Sequence, residues 1–139
     1  MGGVLKMGLE GANQMTTDVI VHIVDDDFNV LDSTAMLLKL LGHTVQTWNS
    51  PCDFLDHRDL AVWDVVLLDL RMPDHDGFAV YRTLRQRDQL NPVVLMTGHG
   101  DSELEAEAFA LGFSAILHKP FSEDELVAAI EGAKVPEPR

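Results

Sequence analysis

Apolar and polar positions alternate between two periods along the chain, and the alternation predicts its elements. Val19 to Val24 is a short β-branched run that reads as a strand. Asn29 to Leu41 places apolar residues at 31, 35 and 38 and at 30, 37 and 41, a helical spacing closed by Gly42. Thr44 to Trp48 is a second strand, and Ser50-Pro51 opens a short helix through about Arg58. Val65 to Leu68 is continuously apolar, as befits a strand covered on both faces. Asp76-Gly77 turns the chain into a helix marked by Phe78, Tyr81 and Leu84. Val93 to Met96 is a fourth strand, followed by a helix with Leu104, Ala108 and Leu111 that ends at Gly112. Ala115 to Leu117 is a fifth strand, and Ser122 to Glu125 caps a last helix bearing Leu126, Ile130 and Ala133. Five strands alternating with five helices predict an α/β fold with a parallel sheet covered on both faces. Right-handed crossovers make it an open doubly wound sheet, for which the order 2-1-3-4-5 is expected.

The two ends of the chain differ from this pattern. Residues 1–17 hold four of the ten glycines and one charge of each sign, Lys6 and Glu10, and read as a flexible leader. The domain is expected over residues 18–133. Residues 134–139, with Pro136 and Pro138, read as a tail or the start of a linker.

Composition narrows the function. The chain has 139 residues with 10 Lys+Arg against 23 Asp+Glu, a formal charge of −13. The hydrophobic content of 46% can fill the core of one domain. Such an acidic surface repels phosphate backbones and anionic lipid, so direct nucleic-acid or membrane binding is not expected. The longest apolar stretch, Ala61 to Leu70, is interrupted by Asp64 and Asp69 and makes no transmembrane helix. The start shows no secretory signal, and the single cysteine, Cys52, can form no internal disulfide. The expectation is a soluble, cytoplasmic domain.

Ligands of a doubly wound sheet bind beyond the carboxyl ends of the strands. There, strand one ends in Asp25-Asp26-Asp27, strand three in Asp69, strand four in Thr97 and strand five in Lys119-Pro120. Crowded carboxylates repel one another unless a cation intervenes, and carboxylates with water and a phosphoryl oxygen are the usual ligands of Mg²⁺. Lys119 adds a compact positive charge and Thr97 a hydroxyl donor. Such a set suits a phosphoryl group arriving on a carboxylate oxygen, with Asp69, the lone carboxylate of the central strand, as the acceptor.

Four segments carry a resemblance. Val24-Asp25-Asp26-Asp27, the run from Leu67-Leu68-Asp69 through Arg71-Met72-Pro73 to Asp76-Gly77, Met96-Thr97-Gly98-His99-Gly100 and His118-Lys119-Pro120-Phe121 resemble the receiver domain of two-component response regulators. The segment Met96 to Gly100 is similar to regulators of the nitrogen-fixation and aromatic-degradation type, whose receivers precede a LuxR-type DNA-binding domain, and it also occurs in the enhancer-binding regulators. The resemblance implies a flavodoxin-like fold and a signalling switch rather than an enzyme with an external substrate. It makes Asp69 the phosphoacceptor and Asp26 a direct Mg²⁺ ligand beside Asp69. Asp25 would act on the metal through water, and the Arg71 backbone carbonyl would complete the protein ligands, with Mn²⁺ able to substitute. Thr97 would hydrogen-bond the phosphoryl group, Lys119 would pair with it, and the Lys119-Pro120 bond is expected to be cis. Arg71 and His99 fall at variable positions that tune phosphoryl lifetime. Ile116 stands where the family usually has an aromatic residue, which puts an aromatic switch partnered with Thr97 in doubt. The implied partners are a sensor histidine kinase, a C-terminal DNA-binding output domain and a phosphorylation-dependent second copy.

Two other readings fit the same residues less well. Asp25 and Asp27 also fit the Asp-x-Asp motif of haloacid-dehalogenase-like phosphatases, but that reading leaves Asp69 unexplained. A receiver that has lost its chemistry would be expected to lack one of the pocket residues. The six histidines show no metal-ligand spacing, Cys52 lacks an evident base, and the stripe Asp101, Glu103, Glu105, Glu107 reads as a solvated face.

Overall fold

A computed structural model of the chain describes residues 19–57, 60–61, 64–73, 75–98 and 100–134. The leader at 1–17 and the tail from 135 onward lie outside the described residues, as do Arg58 and His99. The strands are β1 (Ile20–Val24), β2 (Thr44–Trp48), β3 (Val65–Asp69), β4 (Val93–Thr97) and β5 (Ala115–His118). The helices are α1 (Phe28–Leu40), α2 (Pro51–Asp56), α3 (Gly77–Gln86), α4 (Ser102–Leu111) and α5 (Glu123–Ala133). All five strands are parallel in the order β2-β1-β3-β4-β5. The expected topology is therefore the observed one. A short antiparallel ladder pairs Arg71–Met72 with His75–Asp76 between β3 and α3.

Strand periodicity divides the core into two layers. Val21, Ile23, Val65, Leu67, Val94 and Met96 point to the face covered by α1 and α5, where Leu31, Leu38, Leu126 and Ile130 meet them. Val24, Val66, Leu68, Val93 and Leu95 point to the other face, against Phe54, Val80, Leu84 and Ala108 of α2, α3 and α4. β3 and β4 are buried along their whole length, which explains why their sequences show no polar alternation.

Differences from the sequence reading lie at element ends. β3, β4 and β5 each extend one residue further, through Asp69, Thr97 and His118, because main-chain pairing continues where the apolar run stops. α2 ends at Asp56 rather than at about Arg58, and the His57 N–H closes a tight last turn on the Phe54 carbonyl. Gly112 ends α4 in the left-handed region at φ 113°.

Candidate functional site

Strand register brings the acidic residues together. Val24 of β1 pairs with Leu68 of β3, so the next rung sets Asp25 beside Asp69 on the face that carries Ile23 and Leu67. Asp25 is fully buried and Asp69 is 6% exposed, while Asp26 and Asp27 face solvent. Carboxylate oxygens of Asp25, Asp26 and Asp69 all lie within 4.8 Å of one another. The chain leaves β3 through a tight connection in which the Gly77 N–H donates to the Leu70 carbonyl at 2.7 Å. A Cβ on Gly77 would stand 2.7 Å from the Asp69 carbonyl oxygen, so only glycine allows this approach.

Lys119 reaches the acids from β5. Its main-chain N–H donates to the Thr97 carbonyl at 2.8 Å, which fixes the end of β5 against the end of β4. Its ammonium donates to Asp25 Oδ2 at 2.6 Å and to Asp69 Oδ1 at 3.0 Å. Burial pulls the Lys119 ammonium down, but hydrogen bonds to Asp25 and Asp69, with the charges of both, outweigh burial and raise its pKa. Burial, reinforced by the nearby charge of Asp25, lifts the Asp69 carboxyl from the ordinary 3.8 to about 6, against the opposing pull of Lys119. The Lys119–Pro120 peptide is cis.

These residues line one cavity of about 230 Å³ with Asp27, Arg71, Thr97 and Gly98. Thr97 is buried at the end of β4, and Arg71 lies on the short ladder. Asp27 has another task as well: its carboxylate caps α1, accepting from the Asn29 and Val30 N–H groups. Ile116 is half-buried and packs with the α2–α4 layer of the core. The candidate donors are all oxygens, the set preferred by small hard divalent cations over softer metals.

Three contacts escaped the sequence reading. Cys52 does have a neighbouring base, since its sulfur lies 3.7 Å from His75 Nε2; the two are distant in sequence and meet through the fold. His118 Nε2 bonds Glu105 Oε2 at 3.0 Å, so the acidic stripe of α4 is not wholly solvated. His22 is buried in β1 between Trp48 and Asp64. A histidine inside an otherwise continuous apolar strand, with an aspartate just before the next buried strand, was the available signal for that contact.

The doubly wound sheet and its acidic edge define a class, and sequence comparison gives it a name. Residues 21–131 match the response regulator receiver domain family, and the chain belongs to it. Its relatives include the tetrathionate response regulatory protein TtrR of Salmonella typhimurium, 42% identical over 81% of this chain and 55% of TtrR. The transcriptional regulatory protein FixJ of Bradyrhizobium diazoefficiens is 37% identical over 86% of this chain and 58% of FixJ. The chain thus spans little more than half the length of these curated relatives. Among solved structures, FixJ-N superposes with a TM-score of 0.74 at 36% identity, covering 85% of this chain and 94% of that one. The chemotaxis protein CheY4 of Vibrio cholerae gives 0.77 at 25% identity, covering 84% and 99%. The chain is a receiver domain of the two-component response regulators, a signalling domain rather than a conventional enzyme. No helix among the described residues is long and apolar enough to cross a membrane.

Proposed function

We propose that Asp69 is the phosphoacceptor of this receiver and that the reaction needs Mg²⁺, or Mn²⁺ in its place. The observation that carries the reading is the convergence of Asp25, Asp26, Asp69, Thr97 and Lys119 on one cavity at the carboxyl edge of the sheet. Asp26 and Asp69 would hold the metal directly, with the Arg71 carbonyl, and Asp25 through water. The ion would supply charge neutralisation for the entering phosphoryl oxygens.

Lys119 holds Asp69 Oδ1, and a carboxylate oxygen of Asp69 attacks. That oxygen forms a bond to phosphorus as the bond to the donor nitrogen breaks, and the freed imidazole of a histidine kinase takes a proton. Lys119 then pairs with the new phosphoryl charge and the Thr97 hydroxyl donates to it. With its pKa at about 6, Asp69 is mostly ionised at neutral pH and ready to attack. Water attack on the acyl phosphate, assisted by the same residues, releases inorganic phosphate and returns the carboxylate.

The proposed setting is a cytoplasmic regulator. Its domain would span 18–133, with a leader at 1–17 and a tail or the start of a linker at 134–139, and its output would be a DNA-binding domain. Phosphorylation then promotes pairing with a second copy, and Thr97 with the loop from Gly98 onward carries the change in place of an aromatic at Ile116. The relatives' names, transcriptional and response regulatory proteins, support this setting.

The test is intact mass after incubation with acetyl phosphate, with and without Mg²⁺, beside Asp69→Asn. One added phosphoryl group that requires both Mg²⁺ and Asp69 is expected. Labelling that survives Asp69→Asn, or no labelling where another receiver is labelled in parallel, overturns the assignment.

A further inference from the structure

On the far face of β1 from Asp25, a buried histidine serves none of the chemistry above. His22 is 1% exposed. Trp48 of the edge strand β2 donates its indole N–H to His22 Nδ1 at 3.2 Å. An indole nitrogen can only donate, so Nδ1 must be bare and the proton must sit on Nε2. Nε2 faces Asp64 Oδ2 at 3.3 Å. Asp64, equally buried, also accepts the Ile20 N–H at 3.1 Å and the Ala61 N–H at 3.1 Å. Every polar atom of this group therefore has a partner while His22 is neutral.

A second proton removes that balance. It would place an N–H on Nδ1 directly against the indole N–H, two donors with no acceptor between them, and one must move. The imidazolium itself is held by Asp64. The indole is the movable partner: it is only half-buried, lies on an edge strand, and packs against the rings of His57 at 5.0 Å and Phe54 at 5.9 Å.

We propose that His22, Trp48 and Asp64 form a proton-sensitive clamp, in which protonation of His22 releases the Trp48 indole and loosens β2 and α2 from the sheet. Among the described residues, the charged or titratable groups that act on His22 are Asp64 and His57. Burial pulls the His22 imidazole below its ordinary 6.5, Asp64 pushes it up, and His57 pulls it down, with a net lowering. In the window below 6.5 the folded state therefore binds fewer protons than the unfolded state. The clamp's contribution is full above 6.5 and is lost as the pH falls through the lowered folded value. The clamp also reaches the acidic cavity, because the Trp48 carbonyl accepts the Asp25 N–H at 3.0 Å. It does not depend on Asp69 being a phosphoacceptor.

The experiment follows the indole N–H resonances of the ¹⁵N-labelled chain from pH 8 to pH 5, together with the ring C–H of His22. The chain has two tryptophans, and Trp48→Phe or Trp63→Phe assigns them. The Trp48 resonance should leave its hydrogen-bonded, exchange-protected position with a midpoint below 6.5 that coincides with the His22 titration. His22→Gln, whose amide can accept from Trp48 and donate to Asp64 without titrating, should abolish the transition. An indole signal that stays unchanged while the chain remains folded overturns the proposal, as does the same midpoint in His22→Gln. If the wild type unfolds in acid as a unit, its circular-dichroism midpoint should lie at higher pH than that of His22→Gln, and coincident midpoints again refute the clamp.

Discussion

Asp69→Asn should make the metal-free protein more stable at neutral pH, although it removes the residue on which the proposed chemistry depends. The Asp69 carboxyl rises from 3.8 to about 6 on folding, chiefly through burial and then through Asp25. Between those values the folded state holds more protons on Asp69 than the unfolded state does, so stability falls as the pH rises through the window. Above about pH 6 the cost is complete. A rise of about two in pKa corresponds to roughly 3 kcal/mol at about 1.4 kcal/mol per unit. Asparagine mimics the protonated acid in shape and can still accept from Lys119, which keeps its bond to Asp25. For a chain of this length the gain amounts to about 10 °C in melting temperature. The assay is thermal and urea unfolding of both proteins in EDTA at pH 7.5 and at pH 4. A gain near 3 kcal/mol at pH 7.5 that all but vanishes at pH 4 is expected. An Asp69→Asn protein no more stable than wild type at pH 7.5, or a gain of equal size at both pH values, would refute the electrostatic reasoning.

Two further outcomes follow from the same geometry. Lys119→Met removes the cation that now bridges Asp25 and Asp69, so metal-free stability should drop by about 2–4 kcal/mol at pH 7.5, and Mg²⁺ should restore more of it than in wild type; denaturant melts with and without Mg²⁺ check both. Gly77→Ala drives a methyl into the Asp69 carbonyl and should cost about 1–3 kcal/mol while slowing labelling by acetyl phosphate, and urea midpoints read beside intact mass separate the two effects.

The fold was legible in the sequence because strand and helix periods alternate cleanly, and the acidic edge was legible because polar residues end otherwise apolar strands. Asp69, Thr97 and His118 extend their strands because main-chain pairing does not follow side-chain polarity. The bridging role of Lys119 across both acids could not be read, since it depends on how far an ammonium reaches across three strands. The pairing of His22 with Trp48 and Asp64 was hidden for a related reason: each residue is bland alone, and their meeting is a product of sheet order. Cys52 and His75, 23 residues apart, meet in the same way.

The run of three aspartates after β1 shows what side-chain direction does to identical chemistry. Asp25 is sealed inside against an ammonium, Asp26 stands in solvent at the rim of the cavity, and Asp27 ties down the start of α1. The three letters are therefore not interchangeable copies but a short reading frame. Deleting one of them would leave two aspartates to fill three posts, and the helix would claim its cap at the expense of the rim. Inserting one would lengthen the span between the buried acid and the cap of α1, and the rim carboxylate would lose its place. Length variation at this junction should cost the fold more than substitution of Asp26 by another polar residue, which would remove a proposed metal ligand but leave the other two posts filled.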